Sequence, residues 1–317
     1  DQSIKEAFQH LRSGSELQAL QDAARCRSES DWLVGINGTR AVTIKRSKSR
    51  SRQVSTVGRV QTPTLSLVID RELEIRNFIP KTFHKITAKF QISEGSYVGT
   101  FQKPNFKKVD ANKHDRVDRI WEKDSAEVIM EELQNSEIAD VSEVKKRSPQ
   151  TPGRLYDLTT LQREANRLHH FPASRTLQLA QSLYERHKVI TYPRTDSKAL
   201  PEDYGPTCTE LLGVLPNELS PFGKKVLEEG WVDEKNKRIF NNKQISDHFA
   251  IIPTNKTPAS LDANEWKIYN LIAKRFLSVF YPPAQWDVTT RTSAVGKHSF
   301  KTEGRVLVEP SWLAIYL

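Results

Sequence analysis

The chain has 317 residues, 37% of them hydrophobic, and its 48 lysines and arginines against 39 acidic residues leave a net charge of +9. That length allows two or three domains, and no apolar run approaches the roughly 18 residues of a membrane-spanning helix. Cys26 and Cys208 lie far apart without a CxxC partner, which excludes a disulfide framework or zinc knuckle and suits a reducing compartment.

The first 30 residues read as two helices, with Ile4, Ala7, Phe8 and Leu11 on one face and Leu17, Leu20 and Ala24 on the next. Between Asp31 and Asp70 there is no acidic residue but seven basic ones: Arg40, Lys45, Arg46, Lys48, Arg50, Arg52 and Arg59. Such crowding favours a polyanionic partner, because each neutralised phosphate releases counterions; a solvated, Ser-rich basic loop is the other reading. Gly58 to Pro63 has too little glycine to cradle a phosphate and reads as a loop entering a helix from Pro63 to Glu74.

A strand period follows: Ile86, Ala88, Phe90 and Ile92 alternate with polar residues, Glu94-Gly95-Ser96 makes a turn, and Tyr97 to Phe101 runs back. A helix is expected around Ser125 to Leu133, then the basic Lys145-Lys146-Arg147 and a boundary at Pro149 to Pro152. From Leu158 to His187 the pattern is helical, with Ser174 as a cap and Leu177, Ala180, Leu183 and Tyr184 as an apolar face. Asp262 and Glu265 have capping-box spacing ahead of Trp266, Tyr269, Ala273, Phe276 and Phe280, and Pro282-Pro283 stop that helix. Strand patterns return in Trp286 to Ala294 and Arg305 to Val308. The fold class expected is therefore mixed α and β and multidomain, with a β domain split in sequence by an inserted helical domain.

Ile190-Thr191-Tyr192-Pro193-Arg194-Thr195-Asp196-Ser197 concentrates the chemistry. A tyrosine oxygen can attack phosphorus and store the bond as a phosphodiester to the protein, and an arginine two residues on can hold the charge that builds on phosphate. A free phenol, with a pKa of about 10, is a poor nucleophile near neutrality, so Tyr192 needs partners. Asp196 is a candidate to orient Arg194, and Thr195 and Ser197 to donate to phosphate oxygens. His248, in Asp247-His248-Phe249-Ala250, is placed to contact phosphate or move a proton. A polar helix-to-turn junction and a histidine satisfied within a loop are the alternatives for these two segments. No His or acidic spacing reads as a metal site.

Gly58-Arg59-Val60-Gln61-Thr62-Pro63-Thr64-Leu65, Leu155 to Leu158, Leu161 to Asn166, Ala180 to Glu185, Ile190 to Ser197, and Asp247 to Thr254 occur in this order. Their order and wording resemble the type IA DNA topoisomerases, with wording nearest the bacterial topoisomerase III branch, from about Ala24 to the end of the chain. The resemblance implies that Tyr192 is the nucleophile that forms a 5′-phosphotyrosine link, that Arg194 holds the scissile phosphate, and that His248 lies near the cleavage site. It implies that Arg27, Asp31, Trp32, Arg59 and Gln61 match segments lining a single-strand channel, with Thr195, Asp196 and Ser197 completing the tyrosine signature.

It further implies a partial base domain over 1–63, a β gate domain over 64–153 and 258–317, and an inserted helical domain over 154–257. Expected context is a monomeric enzyme of the bacterial cytoplasm and nucleoid acting on single-stranded DNA, without ATP and away from membranes. Phe249 stands where relatives often carry a second histidine. The family's toprim domain, with its catalytic glutamate and Mg²⁺-holding acidic triad, is expected to lie outside this chain. The chain is thus expected to be a fragment, inactive or weak alone and binding no metal itself, with Mg²⁺ belonging to the intact enzyme. A non-enzymatic single-strand-binding module is the rival expectation. A tyrosine recombinase fits poorly with the many residues after Tyr192, and a rolling-circle relaxase would want paired histidines on a metal.

Overall fold

A computed structural model describes residues 2–46, 54–107, 114–134, 138–216 and 218–317. Lys48, Arg50 and Arg52 of the basic stretch, and the side chain of Ile4, lie outside the described residues. The chain divides into two units, Asp1–Thr82 and Phe83–Leu317.

The first unit contains helices α1 (Gln2–Gln9), α2 (Gly14–Arg46) and α3 (Gln61–Arg76). The two helices expected in the first 30 residues are present, but the second runs on through Arg46 and absorbs Arg40 and Lys45. An extended segment lies along α2. The Thr43 hydroxyl accepts from the Ser55 N–H, and the Thr39 hydroxyl from the Val57 N–H, both at 3.0 Å. Four residues of helix rise about 6 Å and two extended residues about 6.6 Å, so the pairing keeps step. Gly38 makes the approach possible, since a Cβ there would sit 3.0 Å from Val57 Cγ1. Neither α2 nor α3 has a buried residue, and Leu65, Leu67, Val68 and Ile75 are exposed.

The second unit is built on one antiparallel sheet. Its strands are β1 (Thr87–Ile92), β2 (Gly95–Gln102), β3 (Asp140–Gln150), β4 (Ala284–Val295) and β5 (His298–Glu309), in the order β1-β2-β5-β4-β3. Strands from two distant stretches of sequence thus form one sheet. The β1–β2 hairpin turns at Ser93-Glu94, one residue earlier than expected, because Gly95 at φ 142° opens β2 opposite Ile92. Phe101 faces Phe300 across β2 and β5, and with Ile86, Ile120 and Val295 they bury against Ala126 of α4 (Lys123–Gln134). Gly99 leaves room for Phe90 and Phe300 to meet edge to face. The stretch read as the basic Lys145-Lys146-Arg147 and the start of a boundary at Pro149 is the edge strand β3. It pairs with β4 through the directly opposed couples Arg147–Asp287 and Glu143–Arg291. An edge strand tolerates Pro149, whose missing N–H breaks no ladder on the open side.

Between the sheet segments lie α5 (Leu158–His169), α6 (Ala173–Glu185), α7 (Gly205–Gly213), α8 (Ser220–Glu228) and α9 (Ala263–Ser278). Leu161, Ala165, Ala180, Leu183, Ile268, Ile272 and Phe276 are fully buried together in a second core. The α6 face that packs is Thr176, Leu179, Ala180 and Leu183, leaving Tyr184 exposed rather than on the apolar face. Ser174 does not cap α6; Pro172 holds that position without a side-chain bond. The capping box at Asp262 and Glu265 is present. Packing departs from the expected boundaries twice. Residues 64–82 group with the first unit, and α9, from the 258–317 stretch, packs in the helical core because its aromatic stripe finds α5 and α6. No helix among the described residues is long and apolar enough to cross a membrane.

Candidate active site around Tyr192

The segment after α6 is held by the loop that carries His248. Lys188, in the left-handed region at φ 58°, turns the chain, and the Val189 N–H donates back to the Leu183 carbonyl. Thr191 then fastens the two strands of loop. Its N–H donates to the Ile252 carbonyl at 2.9 Å, its hydroxyl donates to the Ala250 carbonyl at 3.0 Å, and it accepts from the Ile252 N–H at 3.0 Å. Ile190 and Ile252, almost wholly buried, anchor this seam in the helical core.

From here burial alternates. Pro193, Thr195 and Ser197 face inward, while Arg194 and Asp196 are exposed and Tyr192 is half-buried. Residues two apart share a side of an extended chain, so the phenol and the guanidinium come to the same open side. The hydroxyls expected to bind phosphate go the other way. Thr195 donates to the His248 carbonyl at 2.9 Å, and Ser197 to the Gln244 carbonyl at 2.9 Å. A hydroxyl has one hydrogen to donate, so in this arrangement both residues brace the loop instead of offering donors to a ligand. Asp196 accepts from the Ser246 hydroxyl at 3.0 Å and does not orient Arg194. Arg194 makes no hydrogen bond or ion pair with any described residue, which leaves its whole fork for a ligand.

The Thr195 bond to His248 has a consequence at Tyr192. It holds the histidine backbone so that the imidazole lies against the phenol, with ring centroids 4.4 Å apart at 48°. A second ring, Tyr184, meets Tyr192 nearly edge-on at 5.4 Å and 76°. The Tyr192 hydroxyl has no hydrogen-bond partner among the described residues and is not a buried orphan, so it opens to solvent. Tyr192 and His248, candidates from the sequence, are thus brought together, with Arg194 exposed two residues along the same extended segment. Phe249, in place of a second histidine, turns into the apolar core against Tyr204 at 5.0 Å. Sequence reasoning missed Tyr184 as a site residue; its helical spacing marked it as core.

Arg27, Asp31, Arg59 and Gln61 belong to the first unit. Arg59 grips Asp31 with a fork, Nε to Oδ1 at 2.7 Å and Nη2 to Oδ2 at 3.1 Å. This hydrogen bond, with charge from Arg59 and Arg27, holds the Asp31 carboxyl below its ordinary value, and the same bond with the Asp31 charge raises Arg59. As arranged, Arg59 is neutralised by Asp31 rather than offered to phosphate. Gln61 folds beside Gly58, and with Asp31, Arg59 and Leu65 they line an open hollow. Trp32, beside Asp31 on α2, is exposed. Among the described residues, no group of three or more His, Cys, Asp or Glu side chains is placed to hold a metal ion.

A family model described as DNA topoisomerase matches residues 15–317. The chain is 38% identical over 319 residues to DNA topoisomerase 3 of Shouchella clausii, covering 98% of this chain and 41% of that protein. It is 37% identical over 321 residues to DNA topoisomerase 3 of Bacillus subtilis, covering 100% of this chain and again 41% of the relative. Among solved structures, full-length topoisomerase I from Thermotoga maritima matches with a TM-score of 0.61 at 23% identity, over 90% of this chain and 43% of that one, a likeness of fold. The chain therefore spans 41% of the length of these curated relatives. With that model matched from residue 15 onward and the tyrosine signature folded beside its arginine and histidine, the chain belongs to the type IA DNA topoisomerase family.

Proposed function

We propose that this chain carries the tyrosine-bearing part of an enzyme that opens and reseals one DNA strand. The Tyr192 hydroxyl attacks a backbone phosphorus; the new bond is Tyr192 Oη to P, and the bond that breaks is P to the 3′-oxygen. The phenol loses its proton and the 3′-oxygen gains one, leaving a 5′-phosphotyrosine and a free 3′-hydroxyl. Because the phosphodiester energy is kept in the ester, religation by reversal needs no ATP. Arg194 stabilises the charge that grows on the phosphate oxygens, and His248 takes or holds the phenol proton. The sheet, joined from two sequence segments, is read as the gate, and the α5–α9 block as the inserted domain. Their relative motion would pass a second strand, relaxing negative supercoils or unlinking single-stranded regions in the bacterial cytoplasm.

The observation that carries this reading is the Tyr192–His248 ring contact beside an unpaired Arg194. When bound in the intact enzyme, Mg²⁺ would offset phosphate charge. The described residues gather no acidic cluster to hold it, so no step here is assigned to it. The group that protonates the leaving 3′-oxygen is likewise assigned to a toprim domain, and lacking such a general acid costs about 10²–10⁴ in rate. The chain by itself is therefore proposed to bind single strands weakly and to cleave poorly.

The test combines the chain with a separately prepared toprim domain, Mg²⁺ and 5′- or 3′-end-labelled single-stranded DNA. A denaturant-resistant adduct on the 5′ side of the nick, absent in Tyr192→Phe, is expected. An adduct that persists in the Phe variant would overturn the nucleophile assignment. A salt-sensitive complex that denaturant dissolves, with no adduct, would instead indicate a single-strand-binding module.

A further inference from the structure

Tyr184 is a large aromatic residue left 37% exposed on the last turn of α6, while its neighbour Leu183 is fully buried. Among the described residues, the one aromatic contact it makes is with Tyr192, edge-on at 5.4 Å. The helix that carries it is tightly held. The Ser182 hydroxyl donates to Glu265 Oε1 at 2.6 Å, tying the end of α6 to the start of α9, and the His187 ring lies 3.2 Å from the same oxygen. The His187 and Val189 N–H groups fold back onto the Ser182 and Leu183 carbonyls, closing the turn that leads toward Tyr192.

Resting on the cleavage reading above, we infer that Tyr184 is a positioning residue, whose ring fixes the direction in which the Tyr192 phenol presents its oxygen. Tyr192 sits on a loop, and rotation about χ1 swings the phenol oxygen unless the ring is packed. His248 alone makes one contact with it and is itself exposed. Tyr184 adds a contact that comes from a helix rather than from the loop, so the aim of the nucleophile is referred to the helical core. In-line attack is sensitive to this, because a misplacement of about 1 Å costs on the order of 10²-fold. The ring, not the Tyr184 hydroxyl, does this, since that hydroxyl has no partner among the described residues.

The test compares Tyr184→Leu, which removes the ring, with Tyr184→Phe, which keeps it. In the chain supplemented with toprim domain, Mg²⁺ and single-stranded DNA, the Leu variant should lower the maximal single-turnover cleavage rate by about 10-fold or more. The DNA concentration giving half that rate should stay unchanged, and the Phe variant should restore the rate to within about twofold. In the chain alone, NMR of ring-labelled tyrosine should show the Tyr192 signal moving in the Leu variant and holding in the Phe variant. An unmoved Tyr192 signal, an equal cleavage rate, or a loss confined to DNA affinity would overturn the inference, the last pointing to a base-stacking role. A wild-type mixture that forms no adduct would overturn the cleavage reading and the inference with it. The NMR arm then shows whether the ring contact itself exists.

Discussion

Arg194 and Arg59 are both signature arginines, yet their surroundings differ in the feature that matters for phosphate. Arg59 meets the carboxylate of Asp31 through two bonds, whereas Arg194 meets no described acid although Asp196 stands two residues away. Asp196 instead accepts from the Ser246 hydroxyl of the adjoining loop. An unpaired guanidinium on the side of the phenol is the group expected to respond to phosphate charge in the transition state. Arg194→Ala should lower the adduct-forming rate by about 10²-fold, in the range seen for removing one preorganised donor. Arg194→Lys should recover only part of it, because an ammonium cannot present two parallel N–H bonds. Equal rates for the wild type and the Ala variant, in the supplemented cleavage assay, would remove Arg194 from the chemistry.

At the scale of elements, the join between α6 and α9 carries a titratable group. Burial works against the charge on Glu265, but the Ser182 hydroxyl, the Asp262 N–H and the nearby His187 more than offset it, so the carboxyl is held below its ordinary value. A carboxyl with a depressed folded pKa adds stability that is complete above the unfolded value, about 4.3 for glutamate, and is lost as pH falls through the folded one. Denaturant midpoints measured from pH 6 downward should therefore fall more steeply for the wild type than for Glu265→Gln below about pH 4.3. Parallel curves would show that the join adds nothing to stability through its charge. The elements also differ in how readable they were. The α9 capping box was plain because Asp262 and Glu265 satisfy helix-end N–H groups through local bonds alone. Strand β3 was not, because an edge strand exposed on both faces has no alternation to display. Helices α7 and α8 are nine residues each, too short for a clear period, although Pro206 and Pro221 in their first turns were available as start signals.

Across the whole molecule the two units are unequally built. The second unit holds both buried clusters, while α2 and α3 of the first bury no residue, and apolar side chains such as Leu67 and Val68 stand in water. Opening free energy follows buried apolar contact, so amide exchange should separate the units. Amides of α5, α6 and α9 should be protected far longer than those of α2 and α3; comparable protection would mean that the first unit is more stable than its packing allows. The local chemistry was determined by the sequence alone: Tyr192, Arg194 and His248 as candidate actors, the capping box, the β hairpin, and the motif order that marks the family. These depend on residue type and short spacing. Which hydroxyls face outward, which arginine is unpaired, and which ring steadies the phenol were decided only in the tertiary structure. The hydroxyls and the paired arginine depend on partners outside their own segment: His248 for Thr195, Gln244 for Ser197, Asp31 for Arg59. The ring comes from Tyr184 on the preceding helix, which local periodicity had placed in the core.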